Sequence, residues 1–205
     1  TFAGVTGSQI HLGANQLSFG DNSNQSFAGR IDGSGGITKT GAGTQTLSGT
    51  NSYTGTTTIS AGTLQLGDGT VTGQSSIAGN IANNGALVIN NLSATTLAGK
   101  ISGTGTLTQQ GTGTTTLTST ANNYTGATQV AHGTLQAGAT STFSSSSAYT
   151  VATGATLDLA GYNQTLASLN NSGMVKLSSN GGGTPGTVLK VTGAYVGNGG
   201  TLGLY

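Results

Sequence analysis

One stretch of this 205-residue chain occurs twice. Gly41-Ala-Gly-Thr-Gln-Thr-Leu-Ser-Gly-Thr-Asn-Ser-Tyr-Thr-Gly-Thr-Thr-Thr-Ile-Ser-Ala-Gly-Thr-Leu-Gln-Leu-Gly67 returns as Gly111-Thr-Gly-Thr-Thr-Thr-Leu-Thr-Ser-Thr-Ala-Asn-Asn-Tyr-Thr-Gly-Ala-Thr-Gln-Val-Ala-His-Gly-Thr-Leu-Gln-Ala-Gly138, with one residue inserted before Tyr124. The correspondence extends backward: Ala28, Gly29 and Ile31 match Ala98, Gly99 and Ile101, and Gly33, Gly35 and Ile37 match Gly103, Gly105 and Leu107. The two units therefore cover residues 27–67 and 97–138, about 70 residues apart. Self-similarity at a fixed long period marks a solenoid. What returns is glycine, threonine and single aliphatic residues, not acids, bases or metal ligands.

Leu, Ile, Val and Phe make up only 40 of the 205 residues, but the net charge of +1 is not that of a disordered chain. The aliphatic residues fall in short alternating runs bounded by Gly, Asn or Ser, such as Thr63-Leu-Gln-Leu66, Ala86-Leu-Val-Ile89, Thr156-Leu-Asp-Leu159 and Val188-Leu-Lys-Val191. No segment holds a helical period. The expected class is all-β, and a parallel β-helix suits it, because each coil has a thin core continued by its neighbours. At about 20 to 25 residues per coil the chain makes roughly eight or nine turns. At ~4.8 Å per coil the rod is about 40 Å long. Glycine, 38 residues in all, suits the corners, and Thr the pleated faces. Pro185 falls in a Gly-rich turn.

In chain order, Gln9–Leu12 and Asn15–Phe19 read as strands before the first unit. Ser76–Ile81 and Ala86–Asn90 form an intervening coil around the turn Asn83-Asn84-Gly85. Thr140–Ser147 is a Ser/Thr run expected to bulge from the rod. Strands resume from Ala148, and nothing suggests a second domain: residues 1–205 form one segment. No leader sequence stands at Thr1 and no apolar run is long enough to span a membrane, so the chain reads as a piece whose targeting signals lie elsewhere.

The residues offer little chemistry. Cysteine is absent, which excludes disulfides, thiolate metal sites and Cys nucleophiles. The only acids are Asp21, Asp32, Asp68 and Asp158, too far apart in a coil count to act as a pair. Asp158 alternates with Leu157 and Leu159 and is expected to face solvent; Asp32, replaced by Ser102 in the second unit, is expected in a turn. His11 and His132 are expected to be solvated, without an acid partner. Arg30, Lys39, Lys100, Lys176 and Lys190 are scattered, which argues against nucleic acid. The expectation is no catalytic residue, no metal and no cofactor. Tyr53 and Tyr124 occupy equivalent corners before Thr-Gly, where a ring either closes the corner or stacks on a sugar.

The run Leu47-Ser-Gly-Thr-Asn-Ser-Tyr-Thr-Gly-Thr-Thr-Thr-Ile-Ser-Ala-Gly-Thr-Leu-Gln-Leu-Gly67 closely resembles the passenger-associated repeat of bacterial autotransporters, an Asn-x-Tyr-Thr-Gly corner, a Thr-rich strand, then Ala-Gly-Thr-Leu. The second copy departs from it at His132 and Ala137. The tail Val188-Leu-Lys-Val-Thr-Gly-Ala-Tyr-Val-Gly-Asn-Gly-Gly-Thr-Leu-Gly-Leu204 resembles the end of a pertactin-like passenger, the autochaperone region, here residues 173–205. The resemblance implies a right-handed parallel β-helix made by type V secretion. It also implies a C-terminal outer-membrane β-barrel following Tyr205 in the parent chain, and display at the bacterial cell surface or outer membrane, with possible release by cleavage.

Three function classes follow. The first is a structural stalk that supports adhesion, autoaggregation or biofilm, as virulence factors do. Its partners would be passengers on neighbouring cells or a host surface or matrix ligand. Its C-terminal coils would nucleate folding through Val188, Leu189, Val191, Leu202 and Leu204. The second is a polysaccharide lyase or hydrolase on a β-helix. The third is ice binding through Thr-x-Thr pairs at 44/46, 56/58 and 114/116, which requires those pairs to stack on one face.

Overall fold

A computed structural model describes residues 2–70, 75–177 and 186–203. The described residues form short strands of two to four residues and no helix. Their pairings are parallel, in sheets of nine, six and five strands with two further two-stranded pairs. The chain is a β-solenoid of about eight turns.

One coil shows the path. Ile81–Asn83 lies in the five-stranded face, Ala86–Ile89 in the nine-stranded face and Thr95–Leu97 in the six-stranded face. The chain then re-enters the five-stranded face at Ile101–Ser102 and the nine-stranded face at Thr106–Gln109. Leu87 pairs with Leu107, so this coil is 20 residues long. Because side chains alternate across a strand, Thr63–Leu66 and Ala86–Ile89 each send their second and fourth residues inward. Leu64, Leu87 and Leu107 stack in register in the core, as do Leu66 and Ile89, and all are fully buried. Burying each such side chain contributes about 1.5–3 kcal/mol, and the stacking supplies it with few large residues per coil.

The corners are tight. Gly55 stands over Gly35 and Gly126 over Gly105, and a Cβ on either upper glycine would run into the backbone of the coil below. The glycines that recur in the sequence are therefore required by the close approach of successive coils.

The two repeats occupy different faces. In the first, Ile37–Lys39 and Thr57–Ile59 belong to the five-stranded face and Thr44–Leu47 and Thr63–Leu66 to the nine-stranded face. In the second, the corresponding Thr106–Gln109 and Thr128–Val130 belong to the nine-stranded face and Thr114–Leu117 and Thr134–Ala137 to the six-stranded face. Ile37, Thr57, Ile81 and Ile101 follow one another in register, so three coils take 64 residues, whereas Ile37 and its counterpart Leu107 are 70 apart. The surplus of six residues carries the chain on by one face.

The ends differ. At the N-terminal end Phe2 stacks on Phe19 and Phe27, with ring centroids 4.3 and 4.9 Å away. At the C-terminal end an apolar hollow of about 370 Å³ is lined by Leu177, Val188, Leu189, Val191, Tyr195 and Leu202.

The expected bulge at Thr140–Ser147 is absent. Thr142, Phe143, Ser144 and Ser147 are buried, and their hydroxyls are satisfied by carbonyls: Ser144 donates to Tyr124 O (2.6 Å) and Ser147 to Gly126 O (2.7 Å). A Ser/Thr run can line the interior when the coil below supplies acceptors. Pro185 lies outside the described residues.

Candidate functional site

The acids are spread through the rod, and among the described residues no group of three His, Cys, Asp or Glu could hold a metal. The most concentrated polar group lies near the N-terminal end, where Gln9–His11 pairs in register with Arg30–Asp32. Asp32 is thus in a strand, not a turn as expected, and only 7% exposed. It accepts Gln9 Nε2 at 2.8 Å, bonds His11 Nδ1 and lies 3.3 Å from Arg30 Nε. The hydrogen bonds from Gln9 and His11, with the charge of Arg30, hold its carboxyl below the usual carboxylate range. His11 therefore has the acid partner that sequence reasoning denied it, while its ring stays largely exposed. The two residues are 21 apart, one coil, and that spacing is the signal that would have found the pair. Arg30 also donates to Ser52 Oγ on the next coil at 3.0 Å. Every member is engaged in tying coils together.

Asp158, expected to face solvent, is 5% exposed. It accepts Gln136 Nε2 from the coil below at 3.0 Å and Ala160 N at 2.8 Å. The second bond holds a turn in which Ala160 has a left-handed φ of 50°. Alternation assigned the side of the strand correctly but not the neighbours that cover it.

Lys39 is the other departure, being 1% exposed. It ends a strand at a corner and points inward, donating through Nζ to Thr40 O, Gly41 O and Ala61 O at 2.6, 2.8 and 3.3 Å. Burial pushes its pKa below the ordinary lysine value. Gln109 stands at the same place in the second repeat and does the same work. Its Nε2 donates to Gly111 O (2.7 Å) and Gly113 O (3.1 Å), and its Oε1 accepts Thr115 Oγ1 (2.6 Å). Asn83 and Asn171 close two further corners, each bonding a carbonyl of the next coil and the N–H two residues on.

Tyr53 and Tyr124 are buried at their corners, 1% and 0% exposed, leaving no ring face for a sugar. Each hydroxyl meets the Thr four residues on, Thr57 or Thr128, at 2.8 Å. Tyr124 also reaches Tyr149 OH at 3.2 Å, and Ser147 joins through Thr128. Burial raises the pKa of all three tyrosines. Asn51 and Asn122, two residues before these rings, accept Ile31 N and Ile101 N from the coil below.

The outer surfaces differ in charge. None of the nine strands of the nine-stranded face contains a charged residue, and its outward ladder includes Thr46, Gln65, Val88, Thr108, Gln129 and Thr150. The six-stranded face carries Asp158 and Lys176 in register. Thr44/Thr46, Thr58 and Thr114/Thr116 lie on the nine-, five- and six-stranded faces respectively, so these threonines do not stack into one array. Of the residues expected to nucleate folding, Val188 and Leu202 are 53% and 50% exposed at the open end, Leu189 and Val191 pack partly against the core, and Leu204 lies outside the described residues. Leu202 pairs with Val175 and Val191 with Leu166, both fully buried, so Leu202 and Val191 occupy core columns on the last coil.

Residues 37–66 and 107–137 each match the family described as Passenger-associated-transport-repeat. No curated protein and no solved structure matches the chain. Both matches lie inside the units 27–67 and 97–138: the first runs from the start of Ile37–Lys39 to the end of Thr63–Leu66, the second from within Thr106–Gln109 to the end of Thr134–Ala137. The repeat family implies export to the cell surface or outer membrane. Two such repeats, set in a β-solenoid of parallel coils, are consistent with the passenger domain of an autotransporter.

Proposed function

We propose that this solenoid is a surface-displayed stalk that supports adhesion or cell-to-cell aggregation, and that its last coils start the folding of the passenger during secretion. The adhesive reading rests on the uncharged nine-stranded face, whose outward ladder of strands ~4.8 Å apart over about 38 Å carries hydroxyl and amide groups, interrupted by Val88 and Val196. Such a face meets a copy of itself, or a neutral host or matrix surface, without charge repulsion. Cells displaying the parent protein are expected to settle faster or attach better than cells from which it is deleted. Lysine at Thr108, Gln129 and Thr150 should remove the effect; unchanged settling and attachment on deletion would end the adhesive reading.

The folding role rests on the register of the last coil with the coil before it. Val191 and Leu202 stack in register on Leu166 and Val175 of the preceding coil, so a last coil that folds first offers core columns to the coil arriving behind it, and a solenoid grows by nearest-neighbour addition. Charged replacements at Val188, Leu189, Val191, Leu202 and Leu204 should block secretion and the acquisition of protease resistance. Normal secretion of those variants would remove this role.

A further inference from the structure

Two Asn-Gly pairs, Asn84-Gly85 and Asn198-Gly199, lie among the described residues, and the fold treats them oppositely. We infer that Asn198 is a site of spontaneous succinimide formation, which converts it to aspartate or isoaspartate in the folded protein and loosens the last coil, whereas Asn84 is protected. This depends on neither the adhesive nor the folding reading.

The chemistry needs only water. The backbone nitrogen of the following residue attacks the asparagine side-chain carbonyl carbon. A bond forms between that nitrogen and Cγ, the Cγ–Nδ2 bond breaks, and Nδ2 leaves as ammonia, taking up the proton that the attacking nitrogen loses. Water then opens the ring. Opening at Cγ gives aspartate; opening at the main-chain carbonyl gives isoaspartate, in which the chain runs on through Cγ. Glycine in the following position favours attack, because it has no Cβ to obstruct the nitrogen and turns freely. Where that nitrogen is engaged by an acceptor, or the pair is clamped by packing, the approach is blocked.

Asn84-Gly85 is blocked in both ways. Gly85 N donates to Asn83 Oδ1 at 3.2 Å, and Asn84 Oδ1 accepts Thr104 N from the next coil at 3.3 Å. Gly85 also lies against the coil below, where an added Cβ would come within 2.4 Å of Gly62 O. At Asn198 the situation is reversed. Among the described residues Gly199 N has no acceptor, and nothing lies within 4 Å of the place a Cβ would take on Gly199. Asn198 is exposed, and its side chain is held through the departing nitrogen alone: Nδ2 donates to Asn170 Oδ1 on the preceding coil at 2.7 Å. Either product lacks that donor, so conversion removes a bond between coils. Isoaspartate also adds a main-chain carbon two residues before Gly200, which packs so closely on Asn171 that a Cβ there would come within 2.6 Å of its side chain.

The test ages the full chain in warm, mildly alkaline buffer, once folded and once in denaturant, and maps its tryptic peptides by mass spectrometry with enzymatic methylation of isoaspartate. Cleavage after Lys190 separates Asn198 from Asn180-Gly181, which lies outside the described residues. In the folded chain the peptide containing Asn198 should convert progressively while the peptide containing Asn84 stays intact; in denaturant the two should convert at similar rates. Conversion of Asn84 as fast as Asn198 in the folded chain overturns the inference, as does a folded chain in which Asn198 persists. A difference of the same size in denaturant would place its cause in the sequence rather than the fold and also overturns it. The loosening is read by hydrogen exchange at Thr201 N, which donates to Gly173 O at 2.8 Å. Exchange there should be faster in the aged protein than in the fresh one, and faster in Asn198→Asp than in the native chain. Unchanged exchange in both removes the claim that conversion loosens the last coil.

Discussion

The first and second repeats place the same pattern one face apart, and the comparison separates what the pattern encodes from what it leaves free. Glycine over glycine, the asparagine that reaches the coil below and the buried tyrosine bonded to a threonine four residues on are the same in both. The outward residues are not: they fall on different faces with different neighbours. The repeat is therefore an instruction for the interior. Where the two units differ inside, as at Lys39 and Gln109 or Gln45 and Thr115, the corner is still closed by a donor, but the bonding is complete only in the second. There Thr115 donates to Gln109 Oε1, whereas the buried Gln45 Oε1 has no hydrogen-bond partner.

The strongest challenge to this equivalence is removal of the rings. Tyr124→Ala should cost about 3–5 kcal/mol, and Tyr53→Ala somewhat less, because only Tyr124 also holds Tyr149. Hydrogen exchange read coil by coil would show the two losses on successive faces. Equal losses would mean the Tyr149 link contributes nothing.

Exchange of the corner residues is next. Gln109→Lys should destabilise by about 2 kcal/mol or more, since the ammonium has no acceptor for the Thr115 hydroxyl. Lys39→Gln should stay within about 1 kcal/mol of the native chain, because an amide can still donate to the corner carbonyls. Thermal unfolding of the two variants compares them directly.

The same pair predicts a difference in pH response. Burial lowers the folded pKa of Lys39, so between that value and about 10.5 the unfolded chain binds more protons than the folded one. Stability of the first repeat should rise with pH across this window, and Lys39→Gln should flatten the rise. The second repeat, with Gln109, should show no such slope from this corner.

A smaller, local effect is expected at Asp32, whose counterpart is Ser102. Its folded pKa is depressed, so its contribution is present above the ordinary value of 3.8 and is lost as pH falls through the folded value. Acid should loosen the pairing of Gln9–His11 with Arg30–Asp32, seen as faster exchange there, and Asp32→Asn should remove the acid dependence. No matching change should occur around Ser102.

Strand existence, parallel stacking and the repeat were legible because Thr-Leu-x-Leu runs and recurring glycines are local signals. The faces were not. The face a strand joins depends on the residue count of every preceding coil: three coils take 64 residues, and the six-residue surplus of the 70-residue period moves the second repeat on by one face. The same long-range count hid His11 beside Asp32. Asp158 was misread because alternation reports the side of a strand, not the reach of Gln136 from the coil below. The Ser/Thr run at 140–147 was misread because hydroxyls look solvated in sequence, while in the rod they find carbonyls such as Tyr124 O.

The hydrogen bonds between coils run along the rod, and this gives the chain a mechanical character. Tension applied along the axis opens these bonds like a zip rather than shearing a whole face at once. A coil of 20 residues released in this way adds roughly 65 Å of extended chain in place of a ~4.8 Å rise. The molecule should therefore lengthen in discrete steps under load and rewind as the load falls, behaving as a shock absorber with one notch per turn.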